Sequence, residues 1–117
     1  MGLTSIITGS FAVGESLTGS LVLNDLTLIG ITTGSNHSGS TISFLVSNDN
    51  VKYLPLFKDT GVEYTISASF VARSYYLDPI IFYPWNYVQA RLGTSASAIL
   101  QKTVTSYFDF TTKKYIH

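Results

Sequence analysis

The chain has no cysteine. Disulfides, thiolate metal sites and a cysteine nucleophile are therefore excluded together. Charge is scarce as well: 12% of residues carry one, about half the usual share. The 7 basic residues balance 7 acidic ones, so no basic stripe gives nucleic-acid binding an electrostatic footing. Long apolar runs are also missing, and nothing approaches the roughly 20 residues of a membrane-spanning helix. The first residues, MGLTSIITGSF, have no basic region and no sustained apolar stretch, so they are not read as a signal peptide. Helical periodicity never lasts beyond a turn or two.

What fills the space is serine and threonine, roughly a quarter of the chain, beside 45% hydrophobic residues. A polar but uncharged surface suits a β-rich protein that packs against copies of itself or against partners, because charge is what keeps free proteins apart. With 117 residues there is one core and one domain.

The clearest pattern is TISFLVSNDNVKYLPLF, residues 41–57. Ile42, Phe44 and Val46 fall on alternate positions, as in a strand with one face buried. Ser47-Asn48-Asp49-Asn50 supplies a turn, since Asx side chains bond their own backbone and tolerate positive φ. Val51 to Phe57 reads as the return strand. Further strands are expected at residues 3–13, 16–23, 26–31, 62–69, 70–76, 87–92 and 104–110. The strand at 26–31 is apolar on both sides and belongs in the middle of a sandwich. Residues 33–40 are a Gly/Ser loop with nothing to bury, and residues 80–85 an aromatic turn framed by Pro79 and Pro84. About eight strands with regular turn signals imply an all-β, two-sheet β-sandwich. It is read first as jelly-roll-like and second as an immunoglobulin-like Greek key. The division is an N-terminal arm or edge strand at 1–15, the sandwich at 16–110 and a polar C-terminal tail at 111–117.

No constellation offers chemistry. His37 reads as a solvated loop side chain and His117 as a chain end, without a second ligand at metal spacing. The carboxylates Glu15, Asp25, Asp49, Asp59, Glu63, Asp78 and Asp109 are scattered, and turns account for three of them. Glu63 and Asp109 are the one pair considered able to meet, and nothing singles them out. Asn48-Asp49-Asn50 lacks the further acids of a calcium loop. The pattern Asn36-His37-Ser38 fits N-glycosylation and is discounted. No G-x-S-x-G is present. An enzyme, a cofactor and a metal are not expected. Tyr75, Tyr76, Phe82, Tyr83, Trp85 and Tyr87 form the strongest local feature, read either as core packing or as an exposed platform for a sugar or a protein.

Several segments, taken in order, resemble a group of small tailed-bacteriophage virion proteins. They are Leu26-Thr27-Leu28-Ile29-Gly30-Ile31, Thr41-Ile42-Ser43-Phe44 with Ser47-Asn48-Asp49, and Asp78-Pro79 with Phe82. The run from Trp85 through Arg91-Leu92-Gly93-Thr94-Ser95-Ala96, and then Gln101, completes the set. The similarity covers roughly residues 16–110. Asn50 stands where the group usually has glycine, and the loop before Thr41 lacks the group's proline and tryptophan.

The resemblance implies a capsid cement or decoration protein, bound outside the head and stabilising contacts between major capsid protein subunits. It would act in the virion, assembled in the cytoplasm of a bacterial host, as a homo-oligomer (trimer or dimer). The contact residues expected are Leu3, Ile6, Ile7, Phe11, Tyr83, Trp85, Tyr115 and Ile116. Deleting residues 1–13 is expected to weaken particle binding and leave the domain folded. The alternatives are a carbohydrate- or receptor-binding module of a tail or fibre, stacking on Tyr83 and Trp85, and another neck or tail component.

Overall fold

Alternation of side chains decides which face of each strand is buried, and the last strand shows it plainly. Ser106, Phe108, Phe110 and Thr112 are buried, while Tyr107 and Asp109 between them are exposed. The computed structural model describes residues 4–24, 26–34, 36–68, 72–102 and 104–114. In it the chain forms β1 (Thr4–Phe11), β2 (Leu21–Val22), β3 (Leu26–Thr32), β4 (Thr41–Ser47) and β5 (Leu54–Pro55). There follow β6 (Thr65–Ser67), β7 (Ser74–Tyr76), a single helical turn α1 (Pro79–Phe82), β8 (Tyr87–Leu92) and β9 (Ser106–Lys114).

The strands make two antiparallel sheets in a sandwich. One has the order β1-β9-β3-β7; the other has β2-β8-β4-β5, with β6 also on β4. Phe11, Leu28, Ile31, Phe108 and Phe110 of the first face Ile42, Phe44, Val88, Ala90 and Leu92 of the second, all nearly fully buried. Ring contacts knit this core: Phe44 meets Phe82 edge-on at 5.1 Å, and Phe11 meets Phe108 at 5.0 Å. Tyr64 stands edge-on to Phe82, and burial pushes its phenol above the ordinary tyrosine range.

Several expectations need correction. The aromatic turn is helical at its start: Asp78 caps it by accepting from the Ile80 amide at 3.1 Å, Pro79 supplies the first turn, and Phe82 enters the core. The polar tail is not a tail up to Lys114, because β9 continues that far. Thr112 is buried and its hydroxyl donates to the Ser5 carbonyl at 3.1 Å. Residues 115–117 lie outside the described residues. The return strand of 51–57 shrinks to Leu54–Pro55, although the Leu56 amide still bonds to the Phe44 carbonyl at 2.9 Å, because the nitrogen of Pro55 faces the free edge. The strand at 26–31 is central as expected, between β9 and β7, with a bulge at Ile29.

Of the two readings of residues 1–15, arm or edge strand, the structure has the edge strand, and what needs correction is the expected effect of deleting residues 1–13. From Thr4 they form a full edge strand, in unbroken register with β9 from Thr4–Lys113 to Phe11–Ser106. Phe11 is completely buried. Removing the segment strips a whole strand from β9 and a phenylalanine from the core, the latter alone worth about 3–5 kcal/mol. The deletion is therefore expected to unfold or strongly destabilise the remaining domain, which a thermal melt of the truncated chain checks.

Candidate functional site

Two ends of the sandwich differ. At the end where β4 starts and β8 finishes, the loops are fastened. His37 is not solvated: it is 2% exposed, with Nδ1 3.1 Å from the Gly34 carbonyl and Nε2 3.0 Å from the Ala68 carbonyl. Its ring stands edge-on to Phe108 at 5.3 Å. Gln101, also buried, accepts from the Ser38 amide and donates to the carbonyls of Asn36 and Val104, each at 2.8 Å. The Gly/Ser loop thus does bury something, and what it buries holds it down.

An ion pair lies nearby. Arg91 Nη2 is 2.6 Å from Glu63 Oε2, with the two side chains 9% and 12% exposed. Arg91 Nε donates to Ser43 Oγ at 2.9 Å, and Glu63 accepts from the Ser95 amide and hydroxyl at 3.1 Å each. Arg91 Nε and Nη2 and both oxygens of Glu63 are thus turned on other groups of the protein. Glu63 and Asp109 do not meet. Asp109 sits on the other sheet, accepting from the Thr8 hydroxyl at 3.1 Å. Among the described residues no group of three or more His, Cys, Asp or Glu could hold a metal ion.

The opposite end is open. Between the turn after β4, the edge strand β5 and the segment after α1 lies a depression of about 520 Å³. Its apolar walls are Val46, Leu54, Pro55, Leu56, Phe57 and Trp85; Ser47, Asn48, Asp49 and Lys52 form a polar rim. The physical origin is β5. Leu54 pairs with Val46 and shares its face, so it points between the sheets, yet it is 55% exposed. The strand ends before it can close the layer. Phe57 beside it is 50% exposed. A concave apolar surface with a few polar groups at one side is the usual form of a binding site.

The rim is rigid. The Ser47 hydroxyl donates to Asp49 Oδ1 at 2.9 Å and accepts from the amides of Asp49 and Asn50. Asp49 Oδ1 also accepts from the amides of Val51 and Lys52, each at 2.9 Å. Asn50 takes φ +60°, the left-handed conformation that lets it stand in for glycine. The Lys52 amide, then the Val51 amide and the Ser47 hydroxyl, hold the Asp49 carboxyl down from 3.8 to about 2. A group whose pKa falls on folding stabilises the fold above its unfolded value, and that support fades as pH drops toward the folded value. The expected result is that Asp49→Asn removes part of the loss of thermal stability between about pH 4 and pH 2. Melting both proteins at pH 5 and pH 2.5 checks it; parallel drops would contradict this role.

The expected contact residues scatter. Ile6 is 65% exposed on the outer face of its sheet, whereas Ile7 packs on the core and Phe11 is sealed within it, so Phe11 is no surface contact. Leu3, Tyr115 and Ile116 lie outside the described residues. Trp85 is half-buried, one side on the core and one lining the depression. Tyr83, at the end of α1, is exposed but is not part of that lining. The two therefore do not share a stacking face in this depression. Leu54, Phe57 and Lys52 were not anticipated as a site. The available signal was Pro55, which marks a short edge strand and so an unclosed layer. No protein-family model matches the chain, and no curated protein matches it.

Proposed function

We propose that this chain is a non-enzymatic virion protein that binds the outside of a bacteriophage head and ties neighbouring major capsid protein subunits together. The observation that carries the reading is the open apolar depression of Leu54, Phe57 and Trp85 on a protein with few charges. Such a surface gains free energy by being covered, and small contacts repeated over many copies sum through multivalency. The two strand orders support the finer reading of a jelly roll over an immunoglobulin-like Greek key. From β1 to β4, and again from β6 to β9, each successive strand changes sheet. The phage assignment itself rests on the sequence resemblance.

The test is co-sedimentation with purified heads. Leu54→Asp with Phe57→Asp places charge on two half-exposed positions, so the fold is expected to survive while binding weakens at least about tenfold. Undiminished coating of the heads would overturn the assignment of this surface.

Trp85 beside Asn48, Asp49 and Lys52 favours a second reading, a carbohydrate-binding module of a tail or fibre. A glycan array separates the two: binding lost in Trp85→Ala, with no affinity for heads, selects the sugar.

A further inference from the structure

The edge strands of this sandwich are unequal. β7, β5, β6 and β2 expose two or three residues each. β1 exposes eight, and among the described residues nothing pairs with its outer side. A free edge presents a row of unpaired amides and carbonyls, and proteins usually blunt it with lysine, proline, a bulge or brevity. TSIITGSF has none of these: it carries no charge and no proline, and its register with β9 is unbroken. The side chains on its solvent face, Thr4, Ile6, Thr8 and Ser10, alternate with Ile7, Gly9 and Phe11, which turn toward the core.

From this we infer that β1 pairs with β1 of a second copy, antiparallel about a two-fold axis, to join two four-stranded sheets into one. The absence of charge selects this occupant. A two-fold contact brings each residue against the same short strand reversed, so any charge near the axis meets its like. A strand without charge meets no such repulsion, and it also offers a foreign partner no charge pattern to recognise. Faces must match across the join, which requires a residue to sit opposite itself. Centring on Ile7 pairs every residue from Thr4 to Ser10, with Ile6 opposite the copy's Thr8 and Thr4 opposite its Ser10. That placement covers part of Ile6, otherwise 65% exposed. The inference does not depend on what the protein coats.

Sedimentation equilibrium of the full chain over a range of concentrations is the test. A monomer–dimer equilibrium is expected. Ile6→Lys with Thr8→Lys brings like charges face to face and weakens it at least about tenfold. Val62→Lys, on an exposed position away from β1, leaves it unchanged. Amide exchange on the unaltered protein supplies an independent readout: protection at alternate amides of residues 4–10 rises as the dimer fills. A chain that stays monomeric, a dimer indifferent to the two lysines, or one whose β1 amides stay unprotected would each overturn the inference. Head binding is scored separately: a monomeric lysine variant that still coats heads spares the capsid reading, and a dimer that never binds them spares this one.

Discussion

Replacing Arg91 by alanine is expected to cost about 3–5 kcal/mol, the range for breaking a buried pair by removing one partner. The cost comes from what remains. Glu63 keeps a carboxylate that is 12% exposed, and the Ser95 amide and hydroxyl are its remaining bonds. The Ser43 hydroxyl loses its donor from Arg91 Nε. Little of this can be recovered by water in a site so enclosed. Removing both charges should behave differently, because two apolar side chains of similar volume need no desolvation. Arg91→Met with Glu63→Leu is expected to recover most of the loss. Urea titration checks both. The single variant should lower the midpoint by more than about 1 M, and the double variant should lie nearer the original. A single-variant cost below about 1 kcal/mol would show that the pair is hydrated and carries no such weight.

The second large effect is expected at Gly93, two residues on. Its φ of +88° is a conformation that side chains resist, and an added Cβ would collide with the Ser97 carbonyl oxygen and lie 3.0 Å from the Ile99 amide. Those are backbone atoms of the tight turn in which the Thr94 amide bonds to the Ser97 carbonyl at 3.1 Å. They can yield only if the turn moves. Gly93→Ala is expected to cost about 2–4 kcal/mol, combining strain with displaced packing. Moving the turn also moves Ser95 off Glu63, so the defect spreads to the ion pair. Gly93→Ala combined with Glu63→Gln should therefore cost less than the sum of the two singles. Strict additivity in thermal or urea unfolding would show that the turn and the ion pair are independent.

These two residues show how much was legible from the sequence. Arg91-Leu92-Gly93-Thr94-Ser95 was recognisable as a segment, but not its purpose. Alternation says which face of β8 Arg91 is on, not that Glu63, 28 residues earlier, covers that face. His37 was misread for the same reason: its acceptor is the Ala68 carbonyl, brought there by the second sheet. Local chemistry was read well. The Ser47 to Asn50 turn and the ends of β8 depend on neighbours in sequence. Residues 111–114 failed as a tail because Thr-Thr-Lys-Lys has no apolar rhythm. They are a strand because β1 and β3 flank them on both sides, a case of tertiary context deciding β-structure. The depression was missed because it arises where the short strand β5 stops, and no local motif marks that place.

The pairing of Thr4 with Lys113 has a mechanical meaning. Both described extremities of the chain emerge side by side, on adjacent antiparallel strands. Tension applied between them opens the ladder one rung after another, from Thr4 inward, and meets only a single rung's resistance at a time. Tension entering through the lateral rims instead loads many rungs in parallel. The frame therefore bears strain across its flanks and yields readily when tugged at Thr4 and Lys113.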